Sequence, residues 1–318
     1  MANQTDVYEF VLLGFPGLNE RYNAAVSSVF FLIYNVSLFS NATVIGLIIL
    51  KEHLYQPMYM VIANLALSDL IMDTATLPKM IAKYWFGHES LSFLACFLQM
   101  FFVHSLGSLD SFIIMLMAVD RFVAICRPLH YCSIITNKLL LLICLIFWLI
   151  SAMIGLSIAI MGAQLPYCGP NKIKNCFCSL TPVSILSCVD SLMTRRIVFF
   201  IALVVHLLPL SFIIFSYVII VWKIRLMAVS ENWQKLFYTC TTHGFVIFLY
   251  FVPRLAVYTY NQFQLISIVD FNVFLICLYT FVPHVASPII YCLRTEEIKN
   301  TLVKVVRKVF SSCNKVPT

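Results

Sequence analysis

The chain has 318 residues and a net charge of +7, and 61% of it is hydrophobic against 11% charged. Soluble domains carry about 25% charged residues, so this chain, with mean hydropathy +0.93, holds more apolar surface than one water-soluble core hides. That excludes a separate large soluble domain, and it leaves room for about seven membrane spans with short loops.

In chain order, Met1 to Arg21 shows no compact apolar region after a basic start, so no cleavable signal peptide is expected and the first span acts as its own insertion signal. Asn3-Gln4-Thr5 is a glycosylation sequon, which places Asn3 on the outer side. Spans are expected over about 24–50, 57–82, 94–126, 138–162, 196–222, 235–260 and 270–293. Pro57 opens the second, where its missing N–H costs little. A loop of roughly 30 residues, rich in cysteine and proline, separates the fourth and fifth. After the seventh, Ile298, Leu302, Val305, Val306, Val309 and Phe310 recur at helical spacing opposite Lys304, Arg307 and Lys308. This predicts a helix lying on the inner leaflet, with Cys313 beyond it as a palmitoylation candidate.

The fold class expected is an all-α integral membrane protein, a seven-transmembrane helix bundle with a short amphipathic helix after the last span. Its parts are an extracellular N-terminus (1–23), the bundle (24–293) and a cytoplasmic helix and tail (294–318). Thirteen of the 21 lysines and arginines fall on the side of the tail, which puts the C-terminus inside and the N-terminus outside. The positive charge lies at segment ends without a basic face interleaved by aromatics, so no nucleic-acid partner is expected; the lipid bilayer is the partner. No nucleotide loop, nucleophile elbow or metal triad is visible, so no catalysis is expected.

The polar residues inside the spans carry the chemistry. At 1.5 Å per residue, Asp69 and Asp110 both lie about 17 Å from the inner boundary. Two facing carboxylates in a dry site share a proton, hold a cation or meet water. Asn41 reaches a similar depth. Arg254 lies about 28 Å above the inner edge and His104 about 25 Å, so the two share one outer cavity. A buried guanidinium needs a partner: an acidic ligand, or a loop carboxylate such as Asp190 or Asp270. Five cysteines fall on the outer side: Cys96, Cys168, Cys176, Cys178 and Cys188. Disulfides suit that compartment, and the Cys-x-Cys spacing is a poor match to a zinc site.

One stretch organises the rest. Met117 to Tyr131 reads MAVDRFVAICRPLHY, an apolar run ending in the pair Asp120-Arg121. It resembles the MAYDRYVAICxPLxY signature of odorant receptors, a branch of the rhodopsin-like G-protein-coupled receptors. Further pieces match in order: Phe10 to Gly17 (FVLLGFPG), Pro57-Met58-Tyr59, Leu67-Ser68-Asp69-Leu70, Leu77-Pro78-Lys79-Met80, Ser216-Tyr217, Lys235 to His243 (KLFYTCTTH) and Pro288-Ile289-Ile290-Tyr291. The Phe-Pro-Gly start and Cys176-Phe177-Cys178 resemble the class I, or fish-like, subgroup. Phe122, Ser40, Ser287 and Leu180 depart from the family pattern.

The resemblance implies disulfides Cys96–Cys178 and Cys168–Cys188, with Cys176 left over. It implies a sodium ion at Asp69 and Asp110, with a hydroxyl from Ser287, and no other cofactor. It makes Arg121 a switch, held near Asp120 at rest and turning toward Tyr217 on activation, with Tyr291 at the inner end and His243 in a structural role. A small-molecule odorant is expected in an outer pocket at His104, Phe101, Arg254, Val257, Tyr258 and Leu203, with Leu106 and Met161 as further apolar lining. The family's carboxylate-binding arginine has no counterpart near Asn261-Gln262. The expected partner inside is a heterotrimeric G protein of the olfactory stimulatory type, raising cyclic AMP, and the expected location is the plasma membrane. A transporter or channel using the aspartate pair is the alternative, but it predicts internal repeats and polar faces on several spans, which the sequence lacks. A receptor that has lost coupling is the third reading, resting on Phe122 and Ser287.

Overall fold

The computed structural model describes residues 7–226, 233–263, 268–294, 298–304 and 307; the side chains at 224, 233–240, 242 and 292–294 are outside this description. Seven long helices dominate the described residues: α1 Asn23–Leu50, α2 Pro57–Phe86, α3 Phe93–Cys126, α4 Asn137–Ala163, α5 Leu192–Leu226, α6 Trp233–Gln262 and α7 Val269–Arg294. Each covers its expected span. α2 runs four residues past the expected end because Lys83 does not stop it. Lys83 ion-pairs with Glu89 at 3.0 Å and lies over the Tyr84 ring. The helix stops instead at Gly87, whose φ of 71° lets its N–H turn back to the carbonyls of Ala82 and Lys83.

Five of the seven helices are long and apolar enough to cross a membrane by length and composition. α3 and α6 match them in length, at 34 and 30 residues. α3 buries Gln99, Ser105, Ser108, Asp110, Ser111 and Asp120, because it packs between other helices. The outer faces show the reverse pattern. Leu142, Leu145, Leu149 and Met153 of α4 are exposed, as are Phe212, Phe215, Val218 and Trp222 of α5. Apolar outside and polar inside is the pattern a lipid solvent selects.

The N-terminal segment is not a free arm. Residues Glu9–Leu12 form β1, paired antiparallel with β2 (Ser90–Ser92) and parallel with β3 (Lys172–Ile173) of the cysteine-rich loop. Phe10 and Leu12 are fully buried, and Phe10 packs among the rings of Phe93, Phe97 and Tyr167. Beyond the strand, Gly14 takes φ 59° and a Cβ there would strike the Tyr84 hydroxyl. That close approach lets the next N–H, of Phe15, donate to Tyr84 at 2.9 Å. The N–H of Gly17 then donates to the Asp270 carboxylate at 3.1 Å. No strand is legible here in the sequence, since the pairing partners lie more than 75 residues away in the chain.

At the other end, residues 298–304 are helical. Ile298 is fully buried in the core formed by α1 to α4, and Thr301 Oγ1 lies 3.0 Å from His53 Nε2. The first apolar residue of the expected amphipathic helix thus docks on the bundle. Val305, Val306, Lys308, Val309, Phe310 and Cys313 lie outside the described residues, as does Asn3.

Candidate functional site

Four buried polar groups from α2, α3 and α7 meet at mid-bundle. His284 Nδ1 donates to Asp73 Oδ1 at 2.7 Å. Its Nε2 lies 3.5 Å from Asp69 Oδ1 and 3.9 Å from Asp110 Oδ2. Ser37 donates to the other Asp73 oxygen and Ser68 to Asp110, each at 2.5 Å. Asn41 donates to Ser37 and to the carbonyl of His284 at 3.1 Å. Its Oδ1 has no partner, and it lines a narrow void with Asp69, Ser287 and Tyr291. The expected pair, Asp69 and Asp110, is thus brought together. Asp73 and His284 were missed. The signal for Asp73 was its spacing: four residues after Asp69, it falls on the same helix face. The cluster joins helices that no sequence spacing relates.

Asp69, Asp110 and His284 each offer a ligand atom, all within 4.8 Å of one another, although the sequence suggested no metal triad. A hard cation prefers oxygen donors, and here an imidazole takes the third place. Both its nitrogens face carboxylate oxygens, an arrangement that two N–H donors satisfy and a neutral ring with one N–H does not. These residues therefore fit a sodium ion poorly.

A second polar centre lies toward the cysteine loop. Arg254 is 3% exposed. Its Nη1 donates to the Tyr250 hydroxyl at 2.8 Å and to the Gly107 carbonyl at 3.4 Å. The guanidinium lies over the Tyr250 ring at 4.3 Å and the Tyr279 ring at 5.1 Å, contacts favourable for a cation. Its Nε has no partner among the described residues. Among the described residues Arg254 forms no ion pair, and the two carboxylates expected as partners, Asp190 in the loop and Asp270 in the first turn of α7, are engaged elsewhere. Asp190 accepts from Leu192 N–H, and Asp270 accepts from Gly17.

His206 of α5 joins this centre and was missed in the sequence, where it stands alone in the apolar run LVVHLLP. Its ring stacks on Tyr250 at 6.2 Å and meets Tyr258 edge-on at 5.5 Å. Nδ1 donates to the Ala202 carbonyl at 2.7 Å, so Nε2 is left with a lone pair and no partner. His104 lies one turn from Gly107, and its Nε2 accepts from Leu180 N–H at 3.4 Å. Val257 is buried among Phe177, Cys277 and Tyr279, Tyr258 packs on the same group, and half-buried Leu203 lies one turn from His206. Three expected lining residues face elsewhere. Phe101 and Leu106 line a void of about 140 Å³ with Ile71, Trp148 and Ser151, on the α2 and α4 side of α3. Met161 packs under the loop with Phe97 and Cys178. Each residue turns a helix by about 100°, so Leu106 cannot share the direction of Gly107.

The loop is fastened over this centre. Cys96 and Cys178 are bonded, with Cα atoms 5.4 Å apart, and so are Cys168 and Cys188, at 5.7 Å. Gln99 accepts from the Cys178 N–H and donates to the Ala75 carbonyl, each at 2.8 Å. Leu180 is fully buried beside His104.

At the opposite end, Asp120 accepts from the Tyr131 hydroxyl at 2.7 Å, a partner the sequence analysis did not name. Burial, then the Asp120 carboxylate, pushes the Tyr131 hydroxyl's pKa up, which keeps it a donor. Arg121 is half-buried. Phe122 packs with Ile220 and Tyr217, an apolar use for the ring at that position. The Tyr291 hydroxyl donates to Met117 Sδ at 3.7 Å, and its ring lies 6.1 Å from His243. His243 is buried, with no partner on either nitrogen among the described residues. The side chains of Lys235 to Cys240 and of Thr242 lie outside the described residues.

Known proteins are similar to this chain over nearly its whole length. The family model described as olfactory receptor matches residues 30–309. Olfactory receptor 1M1 of Homo sapiens is 36% identical over 98% of this chain and 98% of its own length. Olfactory receptor 6B1 of Homo sapiens is 35% identical over 96% of each. Olfactory receptor 51L1 of Homo sapiens is 35% identical over 93% of this chain and 95% of its own.

Proposed function

Because this chain belongs to the olfactory receptor family, we propose that the Arg254 centre is where it binds its odorant and that the Asp120-Arg121 end is where it engages a heterotrimeric G protein. As a member of that family it is a G-protein-coupled odorant receptor and a multi-pass membrane protein, not an enzyme. The N-terminus lies outside the cell in this reading, where Asn3 is open to glycosylation. The observation that carries the ligand assignment is a buried guanidinium without an ion-paired carboxylate among the described residues. A buried charge in that state is costly. Arg254 Nε and His206 Nε2 together offer one donor and one acceptor beneath the fastened loop, within a frame of Tyr250, Tyr258, Tyr279 and Val257. Such a frame takes a small apolar molecule whose carboxylate or carbonyl head accepts from Arg254 and whose hydroxyl, where it has one, donates to His206 Nε2.

Binding favours a state in which the inner end of α6 moves away from α3. That uncovers Arg121 and the second and third inner loops for the olfactory stimulatory α subunit, and cyclic AMP rises. Between the two ends, His284 serves as the cation of the acidic cluster and takes the place expected for sodium. The family membership disfavours a transporter or channel.

The test is a cyclic AMP screen of water-soluble odorants against the parent receptor and Arg254→Ala. The substitution should abolish responses to carboxylic acids and spare neutral agonists. An unchanged acid response in a variant that reaches the surface would end the assignment.

A further inference from the structure

Cys176, the cysteine left over when the two outer disulfides are drawn, is not alone. Its Sγ lies 2.8 Å from the Sγ of Cys277 in α7, across 101 residues of sequence. We propose that Cys176 and Cys277 form a third disulfide, a covalent strap from the cysteine loop to α7.

Three observations support the bond. The sulfurs are nearer than two thiols rest side by side, and a small rotation separates them from the ~2.05 Å of a disulfide. Both residues are at least nine-tenths buried in one apolar cluster with Phe177, Val257, Val273 and Tyr279, and among the described residues each sulfur has the other as its hydrogen-bond partner. Both stand at the outer end of the bundle, which matures in an oxidising compartment. Burial, then the neighbouring Cys277 sulfur, pushes the Cys176 thiol's pKa up, so the thiolate needed for exchange is scarce once the loop is seated. The bond therefore forms during folding. The oxidant is a disulfide-bearing oxidoreductase of the secretory route. One thiolate attacks its disulfide to give a mixed disulfide, the second thiolate displaces it, the oxidoreductase leaves as a dithiol, and two cysteine protons are released to it.

The strap's position gives it a role. Cys277 lies two turns from His284 on α7, about 10.5 Å along the axis. Cys176 is next to Phe177 and two residues from Cys178, which is bonded to α3. The loop above the Arg254 centre is thereby tied to both α3 and α7.

The experiment uses the full-length receptor solubilised from cell membranes without reductant. It is denatured, alkylated with N-ethylmaleimide and digested with trypsin. One tryptic peptide, residues 175–195, contains Cys176, Cys178 and Cys188. Mass spectrometry should find it joined to the peptide of Cys277 as well as those of Cys96 and Cys168, with Cys176 and Cys277 unalkylated. Alkyl groups on both Cys176 and Cys277 would overturn the proposal. As a second measurement, Cys176→Ser, Cys277→Ser and the double variant should lower the melting temperature in detergent by the same amount, since each removes one bond. Additive losses would indicate two independent buried thiols.

Discussion

His284 and Arg254 are both fully buried basic side chains, and their surroundings differ. His284 faces three carboxylates, and two of them, Asp73 and Asp110, are themselves tied by Ser37 and Ser68. Arg254 faces a hydroxyl, a backbone carbonyl and two aromatic rings, and it keeps an unpartnered nitrogen. The first centre is nearly saturated within the protein, so it holds α1, α2, α3 and α7 together. The second is left short of acceptors, so it has capacity for a molecule from outside. A buried charge can thus be structural or receptive, and the count of its partners distinguishes the two.

The largest expected effect comes from breaking the saturated centre. Asp73→Ala leaves the buried His284 Nδ1 and the Ser37 hydroxyl without their acceptor, and His284→Ala leaves three carboxylates facing one another. Removing one partner of a buried pair costs about 3–5 kcal/mol, so each single variant should show a large fall in melting temperature and surface expression. The double variant should lose less than the two losses added. If the losses add, the two residues are not coupled and the contrast between the centres fails. The same variants sharpen the question of sodium. Agonist potency in the parent receptor should be unchanged when an organic cation replaces sodium in the medium, and sodium dependence should appear in His284→Ala. Sodium dependence in the parent would show that the ion, and not His284, fills the site.

How much of this was legible in the chain follows from what spacing encodes. Seven helices were readable because each needs only a local apolar run bounded by charge, glycine or proline. Asp69 and Asp110 were readable as a pair because both could be measured from the inner boundary. His284 was not, since Pro283 and Pro288 flank it in a segment whose interest was taken up by PIIY. Phe101 was placed in the pocket as apolar lining, and apolar character carries no information about which neighbour a helix face meets. The strand Glu9–Leu12 was hidden for a different reason: its partners, Ser90–Ser92 and Lys172–Ile173, are short loop segments without strand periodicity of their own. Cys277 carried no signal of its own, because a cysteine inside a span shows no partner until the loop is folded over it.

The receptive centre yields smaller effects. Tyr250→Phe removes the hydroxyl that donates to Gly107 and accepts from Arg254, while keeping the ring beneath the guanidinium. A hydrogen bond to a charged group is worth about 1.5–3 kcal/mol, so thermal stability should fall by that order and acid agonists should weaken by about tenfold or more. A stability loss as large as that of Asp73→Ala would mean that Arg254, too, is held structurally.

His206→Phe should have the smallest effect and discriminates best. The ring that stacks on Tyr250 and meets Tyr258 is retained, and the bond to the Ala202 carbonyl is lost, worth about 0.5–1.5 kcal/mol. The free Nε2 contributes nothing to the folded apoprotein, because nothing donates to it. The melting temperature should therefore move little. Agonists with a hydroxyl or other donor should lose potency by up to about tenfold, the equivalent of one hydrogen bond, while agonists lacking a donor should be unaffected. Equal losses for both classes would place Nε2 outside the ligand's reach and assign His206 to packing alone, leaving Arg254 as the only polar anchor of the centre.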